Sequence, residues 1–246
     1  DDTHALHGEM PCAPMDRASL VVGMDARGAT VEVTGEYEYV QGFGSHYVAR
    51  PSVRLAEHEA RMTIAMDVTN LGGAPMDLMY MAHLNYAYVP GGRFVQSLPR
   101  GGMRLRDSVP AHVKPTAAWR DYTAMLAHEP ARLATLDAPA LYDPEIVFFM
   151  NDVATDADGV AHFRLAHPDG GAFHTAYRPA QFPHATRWIL HNADQQVAAF
   201  ALPSTCEPEG YEAERRKGHV AALAPGASRR FEVLTGYLSA AEARDA

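Results

Sequence analysis

The sequence predicts an all-β protein, a sandwich of mostly antiparallel strands with a few short helices. Three observations carry this. Segments in which apolar and polar residues alternate recur along the whole chain, each bounded by Gly, Pro, Asn or Asp. Those segments concentrate the β-branched and aromatic residues that fit a pleated, half-buried surface. Helical spacing is confined to brief stretches. At 246 residues, with no linker, repeat or low-complexity segment, the chain reads as a single domain over 1–246.

The elements follow in order. "TVEVTGEYEYV" (Thr30–Val40) alternates cleanly, and "YVARPSVRL" (Tyr47–Leu55) resembles it, although Pro51 argues against a continuous central strand. "RMTIAMDVTN" (Arg61–Asn70) puts Met62, Ile64, Met66 and Val68 on one face. "LGGAP" then turns the chain into "MDLMYMAHLNYAYV" (Met76–Val89), expected as one long strand. From Val95 to Pro144 alternation fades and prolines accumulate, which predicts a long excursion over the surface or across a site. "EIVFFMND" (Glu145–Asp152) reads as a buried strand. "DADGVAHFRLAH" leads from an Asp-Gly turn into another strand, "TRWILHN" with "QQVAAFALP" into a hairpin, and "RRFEVLTGYL" into the last strand. Short helical turns are expected at His128–Leu136, at Tyr211–Gly218 with a glycine C-cap, and at "SAAEAR".

Composition limits the partners. A formal charge of -9 argues against a nucleic-acid surface, which would be basic. No apolar run approaches the ~20 residues of a membrane-spanning helix, so no membrane partner is expected. Two cysteines, Cys12 and Cys206, without a CxxC pair point to a reducing cytoplasm, with contact between the two left open. The chain begins "DDTHALHGEMP", with neither an initiator Met nor a signal-peptide apolar region, as a processed or trimmed product would. GxSxG, P-loop and GxGxxG motifs are absent, so hydrolase-elbow, ATPase and dinucleotide chemistry lack support.

Three stretches carry candidate chemistry. In "LMYMAHLNYAYV", strand alternation places Met81, His83, Asn85 and Ala87 on one face and Tyr80, Ala82, Leu84, Tyr86 and Tyr88 on the other. His83 and Asn85 thus either line a cleft or sit satisfied in the core. In "HALHGEMP", His4, His7 and Glu9 are either a metal-ligating trio or a chance cluster among thirteen histidines. "ALPSTCEPEGYEAERRKG" carries Glu207 and Glu209, either a general base at a strand end or two loop acids favouring the following helix N-terminus.

Taken together, "HALHGEMPCAP", "MTIAMDVTNLGGAPMDLMYMAHLNYAY" and "LAPGASRRFEVLTGYL" occur in the order found in the galactose mutarotase (aldose 1-epimerase) superfamily. The chain most closely resembles its aldose 1-epimerase-like branch, the DUF4432 family. The resemblance implies a galactose mutarotase-like β-supersandwich with a carbohydrate cleft. It also implies acid–base ring opening of a sugar that needs no metal or organic cofactor. By this resemblance His83 takes the place of the acid, and His7 that of a substrate-orienting histidine. Asn85 and Asp152 would bind hydroxyls, while Tyr86, Tyr88 and Trp188 are available to pack a sugar ring.

Two departures qualify the match. Leu202 stands where the superfamily's basic glutamate is expected, leaving Glu207 or Glu209 as catalytic substitutes. Only six residues precede His7, so the domain reads as lacking the family's first N-terminal strands. The expected function is therefore a mutarotase-like enzyme acting on a small-molecule sugar. The alternatives are a sugar-binding module without catalysis and a metal-dependent isomerase using His4, His7 and Glu9.

Overall fold

A computed structural model describes residues 7–26, 28–96, 98–99, 102–111 and 113–245. His4 lies outside them. The strands run β1 (Arg17–Asp25), β2 (Gly28–Val40), β3 (His46–Ala56), β4 (Arg61–Asn70), β5 (Met76–Leu78), β6 (Arg93–Gln96) and β7 (Met103–Leu105). After helix α1 (Ala117–His128) come β8 (Ile146–Met150), β9 (Ala161–Ala166), β10 (Ala172–Tyr177), β11 (His184–His191) and β12 (Gln196–Ser204). The chain closes with α2 (Tyr211–Lys217), β13 (Ala221–Leu223), β14 (Ser228–Leu238) and α3 (Glu242–Asp245). It forms two compact units, residues 1–79 with 209–234 and residues 80–208 with 235–246, so that β14 contributes to both.

The first unit holds antiparallel strands in the order β1-β2-β3-β4-β14. Its register sorts the side chains by chemistry. Glu32 faces Arg54, Thr34 faces Ser52, and Arg50 faces Asp67, which builds a polar face laced by ion pairs such as Arg50–Glu36 at 2.8 Å. The opposite face pairs Leu20 with Val33, Val22 with Val31, Val53 with Ile64 and Leu55 with Met62. On that face Leu20, Val22 and Met24 remain 67%, 71% and 78% exposed. Pro51 does not interrupt β3. The pairing with β2 runs from Thr34↔Ser52 to Tyr37↔Ala49, passing over Pro51, while Pro51 stays opposite Met66 of β4. The missing N–H is thereby absorbed on one side of the strand only. Helix α2 ends, as its Gly218 predicts, on a left-handed C-cap with φ 76°.

The second unit contains the four-stranded sheet β12-β11-β8-β7 and, with the end of β14, the order β14-β10-β9-β6. Its core is continuous: Ile146, Phe148 and Met150 of β8, Phe163 and Leu165 of β9, and Phe200 of β12 are all fully buried. The β11–β12 hairpin forms where the alternation predicts it. Its turn is fixed by the Asn192 side chain, which accepts from the N–H groups of Asp194 and Gln195 at 2.9 and 2.8 Å. Arg187 pairs with inward-facing Phe148 of β8 and so turns into the core, beside a register shift against β12 between Thr186 and Trp188. There its guanidinium lies 3.9 Å above the Phe94 ring and donates to Gln96 Oε1 at 2.8 Å. Burial pushes this guanidinium down to about 9. Helix α3 begins with a reciprocal cap, in which Ser239 Oγ accepts from the Glu242 N–H and Glu242 Oε2 accepts from the Ser239 N–H at 2.8 Å.

Three expectations are corrected. The excursion over 95–144 is partly ordered: it holds β7 and the twelve-residue α1, with Thr116 Oγ1 accepting the Trp119 N–H as the N-cap. The expected helix at His128–Leu136 is instead the end of α1 followed by a 3-10 turn at Pro130–Leu133. Pro130 cannot donate an N–H to continue the α pattern. The expected long strand Met76–Val89 is also shorter. Regular pairing covers only Met76–Leu78, after which residues 79–89 run extended beside β12 through isolated bridges at Met81↔Ser204 and Ala87↔Val197. Cys12 is exposed and Cys206 buried, both as thiols. Among the described residues, no helix is long and apolar enough to cross a membrane.

Candidate functional site

The candidate site lies on one face of the β12-β11-β8-β7 sheet, in the second unit. Alternation on β8 turns Ile146, Phe148 and Met150 inward, so Glu145, Val147, Phe149 and Asn151 share the other face. Register adds Arg104 opposite Phe149 from β7, and Trp188 opposite Val147 from β11. From β12 it adds Leu202, opposite Thr186, and Ser204, opposite His184. The Met81 bridge to Ser204 brings the 79–89 segment alongside.

His83 and Asn85 fall between the two bridges, where this segment is bonded to β12 only through flanking groups: Ala82 N–H to Pro203 O and Ala198 N–H to Tyr86 O, both at 2.9 Å. Both side chains are exposed, whereas Ala82 is buried and Tyr86 turns inward. His83 Nδ1 donates to Asn85 Oδ1 at 2.9 Å, and its ring meets Trp188 edge-on with centroids 5.8 Å apart. With Nδ1 holding a proton for Asn85, Nε2 is the nitrogen at which His83 gains and loses one.

Glu207 supplies the carboxylate. It is 3% exposed, and Arg104 Nη2 donates to both of its oxygens at 3.3 Å. Asn151 Nδ2 reaches Oε1 at 3.4 Å, while Asn151 Oδ1 accepts from His184 Nδ1 at 2.9 Å. Arg104 is itself steadied over the Phe149 ring, 4.8 Å from its centroid. Leu202 is only 1% exposed and forms apolar floor on this face. Glu145 stands at the start of β8, its carboxylate held by Arg106 and by Trp188 Nε1 at 2.7 Å.

The structure sorts the residues singled out from the sequence. His83, Asn85, Glu207 and Trp188 belong to the second unit and to the surroundings of this face. Asp152 sits past the end of β8, exposed, with φ 54°, and the position on the face is that of Asn151. Tyr86 and Tyr88 are not ring-packing surfaces beside His83. Tyr86 packs against Phe173 and Phe200, and its hydroxyl reaches Thr175 at 3.1 Å and Thr235. Tyr88 donates to Leu136 O at 3.1 Å. His7 and Glu209 belong to the first unit, where His7 is exposed with φ 66°. Among the described residues, neither His7 nor Glu9 joins a group of three metal-ligating side chains.

Four polar residues were missed: Arg104, Arg106, Glu145 and Asn151. The signal was present, because period-two alternation through "MRLR" and "PEIVFFMN" puts Arg104 and Arg106 opposite Met103 and Leu105, and Glu145 and Asn151 opposite Ile146, Phe148 and Met150.

A crystal structure of a "putative aldose 1-epimerase" from Klebsiella pneumoniae subsp. pneumoniae MGH 78578 superposes with a TM-score of 0.80 at 16% identity, over 98% of this chain. This chain spans 59% of the length of that protein. A galactose mutarotase-like protein from Clostridium acetobutylicum matches with a TM-score of 0.59 at 13% identity, over 90% of this chain and 66% of the other. A "putative aldose 1-epimerase" from Escherichia coli K12 gives 0.54 at 16%, over 90% and 68%. No curated protein matches the sequence. The antiparallel β architecture is thus that of the galactose mutarotase-like folds. Within that class the chain belongs to the DUF4432 family, a domain of unknown function, whose model matches residues 1–236.

Proposed function

We propose that this chain is an aldose 1-epimerase-like enzyme that interconverts the anomers of a monosaccharide or sugar derivative. The observation that supports it best is a buried carboxylate, Glu207, on the sheet face beside which the exposed imidazole of His83 stands. In this reading Glu207 takes the proton of the anomeric hydroxyl while His83 Nε2 gives one to the ring oxygen. The bond from C1 to the ring oxygen breaks as the C1 carbonyl forms. Rotation about C1–C2 presents the other carbonyl face, and the reverse transfers close the ring and restore both protons. Asn85 accepts the Nδ1–H and so favours the imidazolium that serves as acid. Asn151 and Asn85 offer hydroxyl partners, and Trp188 offers an apolar ring face.

One observation favours a second reading. Arg104 donates to both oxygens of Glu207, an arrangement that suits a carboxylate held in place to bind hydroxyls. Anomer exchange measured by NMR on a panel of aldoses separates the two. The enzyme accelerates exchange for at least one sugar, whereas a binding module shifts sugar resonances and leaves the exchange rate at its uncatalysed value.

A further inference from the structure

Glu145 has a part that the proton transfers do not use. Its side chain is 10% exposed, as is that of Arg106, with which it forms an ion pair. Its other oxygen, Oε2, accepts the indole N–H of Trp188 at 2.7 Å. Its main-chain carbonyl accepts the indole N–H of Trp119 at 2.7 Å. These are the two tryptophans of the sequence, and one residue holds both. Trp119 comes from α1 and Trp188 from β11, so Glu145 joins the helix to the sheet at the start of β8. Trp188 in turn meets the His83 ring edge-on at 64°.

The energetics favour a fixed geometry. A carboxylate this deeply buried is costly unless its oxygens are bonded, and here Arg106 takes one oxygen and Trp188 the other. A charge-assisted bond is stronger than a neutral one, so the indole loses much more by rotating away than it would from a neutral acceptor. His83 sits in the stretch between two isolated bridges and owes less of its orientation to regular backbone pairing than a residue inside a strand does. Asn85 constrains it from one side and the indole from another.

We propose that Glu145 is a positioning residue: by locking the Trp188 indole it fixes the His83 imidazole in the orientation used for proton transfer. This rests on the reading of His83 as the acid, but the positioning itself is measurable without turnover. A Trp119→Phe background leaves Trp188 as the sole indole. A protonated imidazole quenches an adjacent indole, so Trp188 emission should fall as His83 protonates, and His83→Asn should abolish that titration. In the same background Glu145→Gln removes the charge while keeping the shape. The expected result is loss of most of the titration amplitude and freer access of acrylamide to Trp188. The anomer-exchange kcat falls about tenfold with little change in KM, as for a displaced catalytic group.

Trp188→Phe, which keeps a ring but has no N–H, provides the second route if Glu145→Gln fails to fold. Its His83 ¹⁵N resonances should shift and broaden relative to the parent protein. An unchanged emission titration in Glu145→Gln, or unchanged His83 resonances in Trp188→Phe, overturns the proposal. Should no sugar be turned over while the indole still reports His83 through Glu145, the positioning stands and the epimerase reading falls.

Discussion

His83 Nδ1 donates to Asn85 Oδ1 at 2.9 Å, across two residues of an extended segment that has no regular strand partner at that point. The bond fixes which imidazole nitrogen exchanges protons, and in the proposed reaction it makes Asn85 a partner of the acid. Asn85→Leu should lower kcat about tenfold by loosening the tautomer and orientation of His83. Anomer-exchange rates together with ¹⁵N spectra of the His83 ring would check this. An unchanged ring spectrum with full activity would remove Asn85 from the account.

His83→Ala should reduce turnover by about 10²-fold or more, as expected for a lost general acid. Because the side chain is exposed, the circular dichroism spectrum and the melting temperature should stay close to those of the parent protein. Polarimetry on freshly dissolved anomers measures the first effect and thermal melts the second.

Glu207→Gln should abolish anomer exchange while changing sugar affinity little. The opposite pattern, with exchange intact and affinity lost, would mark Glu207 as a binding group. Arg104→Met should change the carboxylate as well as the stability. Removing the cation beside a buried carboxylate raises its pKa, so the alkaline limb of activity is spared and the acid limb moves to higher pH. A pH–rate profile reads both limbs.

The face split around His83 and the strands flanking it were legible in the sequence, because period-two alternation is a local signal. Pairing was not. Nothing in "MDLMYMAHLNYAYV" says that β12 offers it only two bridges, and a run rich in aromatic residues looks the same whether or not its ladder is complete. Glu207 was visible as a carboxylate after a strand, but its burial depends on Arg104 and Asn151, distant in sequence and brought in by β7 and β8. Asp152 closes the run "EIVFFMND" as its one exposed acid, whereas alternation from Phe148 and Met150 places the neighbouring Asn151 on the site face. Helix α1 gives a weak periodic signal, because its apolar residues, several of them alanines, are spread around the helix and Leu126 is its one buried residue.

Tyr86 tests the separation of core from site. Its hydroxyl serves Thr175, Thr235 and the His174 carbonyl, away from the His83 side chain. Tyr86→Phe should cost about 1 kcal/mol of stability, as for a lost buried hydrogen bond, with turnover per folded molecule unchanged. Urea denaturation and anomer exchange together check this.

Burial pushes the phenols of Tyr80 and Tyr88 up to about 12, and those of Tyr86 and Tyr142 upward as well. A raised phenol pKa contributes stability that is fully present below the unfolded value near 10 and is lost as pH rises through the folded value. Arg187 works in the opposite sense. Its lowered pKa imposes a cost that is complete below about 9 and fades as pH climbs toward the unfolded value. Because the two oppose each other in the same window, tyrosinate absorbance is the cleaner probe. A late-titrating group of tyrosines should separate from those that ionise normally, and Tyr80→Phe should shrink it.

The central claim is that Glu207 and His83 flank one sugar ring, and a crystal structure of the protein soaked with an aldose that it turns over tests it most directly. The account predicts the anomeric hydroxyl within about 2.6–3.2 Å of a Glu207 oxygen and the ring oxygen at a similar distance from His83 Nε2. A sugar bound with neither group in reach, or bound elsewhere on the chain, would contradict it.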